Sequence, residues 1–141
     1  PSPLSSPKGA PSGRGERVPI LVKIAPDLSD EELEDAVCII MDKGMDGIIA
    51  TNTTLSREGL RSRLKEERGG LSGSPLAAGS EAVLRRVVKG VGGRVPIVSV
   101  GGIMSPEEAK KRLALGASLV QVYTGLIFQG PGLVKRIVKG L

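Results

Sequence analysis

The chain has 141 residues, 40% of them hydrophobic, with one Cys and no His, so it suits one domain with an aliphatic core. The same counts exclude an internal disulfide, a Cys/His zinc site and histidine-based acid–base catalysis, and no metal is expected. One Tyr, one Phe and no Trp leave almost nothing for bases to stack on, so no nucleic-acid partner is expected; the net charge of +5 is spread over several segments and reads as solvated helix faces.

No apolar run approaches the roughly 18 residues of a membrane span, and the N-terminus lacks the apolar core of a signal peptide. The sequence opens on Pro1 rather than Met and is expected to be a piece of a longer chain. Residues 1–17, "PSPLSSPKGAPSGRGER", hold too few apolar groups to offset the entropy of ordering them, and are expected to form a flexible lead-in to an ordered part at 18–141.

From there one pattern repeats. "PILVKIA" (19–25) has strand character. A helix is predicted over 29–44, capped by Ser29 with Glu32 three residues on, and ended by Gly44. Its apolar stripe is Leu33, Ala36, Val37, Ile40 and Met41, and Cys38 is expected to pack beside it. "DGIIAT" (46–51) is the second strand, and 52–74 a long polar connection. A second helix follows at 75–91, with the stripe Val83, Leu84, Val87 and Val88. "VPIVSV" (95–100) is the third strand, and 105–116 a third helix with Ser105 as N-cap, Pro106 at its first position and Gly116 just past its end. "ASLVQVY" (117–123) is the fourth strand, and 130–141 holds a last helix. Four apolar strands alternating with helices predict parallel β/α architecture, an open sheet or half of an eightfold barrel.

In such folds, chemistry gathers at the carboxyl ends of the strands. Those ends carry Lys23, then Thr51, Asn52 and Thr53, then Gly101 and Gly102, then Tyr123 and Thr124, while the long connection adds "GGLSG" (69–73). Gly101-Gly102 before a helix start suits either an approaching anion or a plain tight turn. Lys23 on an apolar strand suits either a cation set against an electron-rich ring or carboxylate, or a strand-end lysine reaching water. Asn52 and its hydroxyl neighbours suit either a heterocycle with amide edges or local turn chemistry.

Five ordered blocks carry a more specific signal: "VKIAPDLSDEEL", "ATNTT", "GGLSGSPL", "VPIVSVGGI" and "GASLVQVYTGLIFQGP". Together they resemble the quinone-linked (class 2) dihydroorotate dehydrogenases, from about Val18 to the C-terminus. The resemblance implies the C-terminal half, about four β/α units, of a TIM (β/α)₈ barrel. It implies an FMN-dependent oxidoreductase of pyrimidine synthesis that takes dihydroorotate to orotate and passes electrons to a quinone. Residue by residue it implies Lys23, Thr51, Ser72 and Gly73 as flavin contacts, and Asn52 and Thr53 as orotate contacts. Gly101, Gly102, Tyr123 and Thr124 fall to the FMN phosphate.

The family's serine base belongs to an Asn-containing motif of the first barrel half. "SSPKGA" (5–10) lacks that Asn, so no catalytic residue is assigned and the isolated chain is expected to show no turnover. Quinone linkage implies association with a mitochondrial inner or bacterial cytoplasmic membrane through regions N-terminal to this sequence. The open sheet edges of a half-barrel imply self-association. Two other readings stand beside this one: a different FMN- or phosphate-binding barrel oxidoreductase, and a non-catalytic half-barrel that binds a phosphate ligand.

Overall fold

The computed structural model describes residues 17–141, so the expected lead-in lies almost wholly outside the described residues. Its last residue, Arg17, is described and engaged: Nη2 donates to Asp46 Oδ1 at 2.6 Å and to the Gly44 carbonyl at 3.3 Å.

The elements run β1 (Leu21–Ile24), α1 (Asp30–Asp42), β2 (Gly47–Ala50), α2 (Ala77–Val91), β3 (Ile97–Val100), α3 (Pro106–Ala114), β4 (Leu119–Gln121), α4 (Thr124–Gln129) and α5 (Gly132–Gly140). The four strands form one parallel sheet in the order β1-β2-β3-β4. This is a run of four β/α units, with the helices that follow the strands packed on one face of the sheet.

Helix boundaries follow their caps. Ser29 Oγ accepts from the Glu32 N–H while the Glu32 carboxylate accepts from the Ser29 N–H, closing a capping box. Ser105 caps α3 by accepting from the Glu108 N–H at 3.2 Å, with Pro106 in the first turn. The last helix predicted from sequence, 130–141, is α5; the sequence reading missed α4, a short helix that begins directly after β4 and ends at Gly130, whose φ of 68° turns the chain into α5. A single turn of 3₁₀ helix, Ser74–Leu76, leads into α2.

The strand faces divide by alternation. Ile24, Ile48, Ala50 and Ile97 point to the helices and merge with Leu33, Val37, Ile40, Leu84, Val87 and Val91 into the main core. A second cluster under β4 joins Ile103, Ala109, Leu133 and Ile137 of the α3–α5 layer. The opposite, inner face carries the register row Lys23–Ile49–Val98–Leu119. Leu119 there is 62% exposed, so this apolar face lies open on β4.

Cys38 corrects one expectation, because it is exposed. The buried positions of α1 are Leu33, Val37 and Ile40, and at 100° per residue Cys38 lies a step around the helix from Val37.

Candidate functional site

Lys23, at the end of β1, is exposed on the inner face and opens one side of a cavity of about 220 Å³. The β2 end builds its floor. The peptide joining Ala50 to Thr51 is cis, and Thr51 is almost fully buried. The Thr51 N–H donates to the Val100 carbonyl at 2.9 Å, and the Asn52 N–H to the Ile24 carbonyl at 2.7 Å. The backbone after β2 thus stitches the ends of β1 and β3 together and fixes where the side chains of 51–53 emerge. Asn52 Oδ1 accepts from the Thr53 N–H at 3.0 Å, which orients the amide.

The long connection returns to the same rim. Thr54 and Leu71 pair through two backbone hydrogen bonds of 3.1 and 2.7 Å, bringing Ser72 and Gly73 beside Thr53. Gly70 sits so close that a Cβ would lie 1.9 Å from the Thr53 hydroxyl, so only glycine fits. Asp27 latches the outgoing arm, accepting from the Thr54 hydroxyl and from the Leu55 N–H. Arg57 braces the rest, donating to the carbonyls of Leu55, Lys65, Glu67 and Gly69.

After β3, Gly101 and Gly102 take φ values of 115° and 73°, a region closed to most side chains. A Cβ on Gly102 would stand 2.4 Å from Ala77 Cα, and one on Gly101 3.0 Å from Ser80 Cβ. The glycines therefore admit the first turn of α2 at the strand end, whatever else approaches them. Tyr123, Thr124 and Gly125 close the last side, and the Thr124 hydroxyl donates to Ser72 Oγ at 2.8 Å.

All ten residues singled out from sequence line this one cavity: Lys23, Thr51, Asn52, Thr53, Ser72, Gly73, Gly101, Gly102, Tyr123 and Thr124. No carboxylate is among the lining residues, and Lys23 is their only cation, so the cavity favours an anion.

Sequence reasoning missed Arg112. Its basic neighbours on α3 are solvated, but Arg112 is 2% exposed. It donates to the Ala77 carbonyl at 2.7 Å, Ser80 Oγ at 3.0 Å and the Gly101 carbonyl at 3.2 Å. Burial pushes its guanidinium pKa down, opposed by the Glu81 and Glu108 carboxylates, and an arginine stays charged under such a shift. Its position three residues after the buried Ala109 and beside the partly buried Leu113, on the packed face of α3, was the available signal.

Parallel β/α units with a polar rim at the strand ends define a barrel-type site. Comparison with known proteins narrows the class: the family model for dihydroorotate dehydrogenase matches residues 9–141, and the chain belongs to that family. A Rhizobium meliloti protein named dihydroorotate dehydrogenase (quinone) is 51% identical over 128 residues, 90% of this chain and 35% of that protein. A protein of the same name from Chloroflexus aurantiacus is 50% identical over 136 residues, 94% of this chain and 37% of that one. The chain thus spans about a third of the length of the curated relatives it matches. The crystal structure of an Eimeria tenella dihydroorotate dehydrogenase in complex with ferulenol superposes with TM-score 0.85 at 46% identity, covering 91% of this chain and 34% of that one. The fold here is accordingly a partial TIM barrel.

Proposed function

We propose that this chain carries the C-terminal, FMN- and orotate-holding strand ends of a quinone-linked dihydroorotate dehydrogenase. The observation that carries the reading is the convergence of four strand ends and one long loop on a single cavity lined without carboxylates. The residues fit the cofactor's tail: a dianionic phosphate would meet the Gly101-Gly102 turn and Thr124 at the start of α4. The cavity of about 220 Å³ is below the ~300 Å³ typical of a whole small-molecule site, so it takes part of a ligand.

Bound there, FMN would supply the redox chemistry, taking hydride from dihydroorotate and handing electrons on to a quinone. Toward it, Lys23 offers a cation that favours negative charge on the ring, and Thr51, Ser72 and Gly73 fix its edge. Asn52 and Thr53 offer donors and acceptors to the amide edges of orotate. No residue of this chain is assigned the proton-taking role, so the chain alone is expected to bind without turning over. Membrane association follows from the quinone linkage; among the described residues no helix is long and apolar enough to cross a membrane.

Titrating the purified chain with FMN, then with orotate, tests this. Saturable FMN binding followed by an orotate-dependent change in the flavin spectrum supports it. FMN binding with no orotate effect favours a phosphate-ligand module instead, and measurable dihydroorotate oxidation by the chain alone overturns the absence of a base.

A further inference from the structure

The Gly101 carbonyl accepts from Ser80 Oγ at 2.8 Å and from Arg112 Nη2 at 3.2 Å. Both donors belong to helices of the outer layer, and neither lines the cavity. The peptide that follows is trans, so its N–H points opposite to that carbonyl. Two donors pulling the carbonyl outward therefore turn the Gly102 N–H inward, toward the cavity that Gly102 lines. A glycine pair at positive φ flips its peptides easily, so this orientation needs a restraint. Arg112 also holds the Ala77 carbonyl, which pins α2 to the same turn.

We propose that Arg112 is a positioning residue for the phosphate subsite: it draws the Gly101 carbonyl outward, so that the Gly102 N–H faces the ligand, and it places a fixed positive charge behind that peptide. The proposal rests on the reading of this cavity as the holder of the FMN phosphate. Arg112 touches no ligand. Its fork makes the difference, because Nη2 reaches Ala77, Ser80 and Gly101 while the second nitrogen, Nη1, approaches Ser99 Oγ at 3.5 Å and holds the plane of the group. A lysine keeps the charge and loses the fork.

The test is the ratio of FMN to riboflavin affinity, read on the purified chain by flavin fluorescence, since riboflavin lacks only the phosphate. Arg112→Met is expected to weaken FMN about tenfold and leave riboflavin within about twofold. Arg112→Lys should fall between it and the native chain, and Ser80→Ala should weaken FMN about threefold. A merely structural role would weaken both flavins alike. Should Arg112→Met fail to fold, the ratios of Arg112→Lys and Ser80→Ala decide, and native ratios in both overturn the proposal. A native chain that does not discriminate FMN from riboflavin overturns the phosphate reading itself. A native chain that discriminates, with variants that keep its ratio, overturns only the part given to Arg112.

Discussion

The Thr124 hydroxyl donates to Ser72 Oγ at 2.8 Å, tying the start of α4 to the end of the loop that leaves β2. The two residues come from distant strand ends, and the bond closes the rim of the cavity between them. Thr124→Val removes the donor with little change in volume and is expected to cost about 1 kcal/mol of stability. Hydrogen exchange should quicken at 71–73 more than in the core strands. Equal protection in both proteins would show that the bond does not hold the rim.

Glycine substitutions should separate packing from propensity. Gly102→Ala combines a φ of 73° with a Cβ 2.4 Å from Ala77 Cα, so a loss of at least about 2–3 kcal/mol is expected. Gly79→Ala lies in the first turns of α2 with nothing within 4 Å of the new Cβ, and should stabilise by about 0.5–1 kcal/mol. Thermal melts of the two variants check both signs.

The long loop owes its shape to Asp27 and Arg57. Asp27→Ala removes the acceptor for Thr54 and Leu55, and is expected to make the loop several-fold more sensitive to trypsin at Arg61, Arg63, Lys65 and Arg68. Gel-resolved digestion against time reads the effect. An unchanged cleavage rate would mean that Arg57 alone suffices.

Glu81 accepts from Lys111 at 2.8 Å and Arg85 at 3.0 Å, and the Lys111 bond leads in holding its carboxyl below the usual range. A depressed carboxylate contributes stability above its unfolded pKa of about 4.3 and loses it as pH falls through the lower folded value. The native chain should therefore exceed Glu81→Gln in stability at neutral pH. The gap should shrink only below about pH 4.3 and close in stronger acid. Denaturant melts of both proteins across that window measure it.

The inner sheet face predicts association. β1 and β4 end the sheet, and the row Lys23–Ile49–Val98–Leu119 faces away from the helices. The purified chain is expected to elute above monomer mass, and Leu119→Lys to shift it toward monomer by charging an edge strand. A native monomer that shows no aggregation would count against the open face.

The architecture was legible because each level agreed. Capping residues Ser29 and Ser105 bracketed the helices, and runs such as "GIIA" read as strands covered by helices. The site was legible as far as barrel logic reaches, since strand ends share one rim. What stayed hidden depended on partners distant in sequence. Arg112 looked like another solvated cation until α2 supplied the Ala77 and Ser80 acceptors. Gly70 has no local reason to be glycine, and its cause is Thr53 across the loop. The helix α4 was missed because its six residues, Thr124–Gln129, follow β4 with no capping side chain to mark a start.

The contact between Gly102 and Ala77 reaches past binding. Because those bare positions are demanded by the docking of α2, a duplicated gene drifting toward silence would keep them for as long as its product must avoid degradation. Their survival in a sequence therefore reports a need to fold, and says nothing by itself of whether the copy still works.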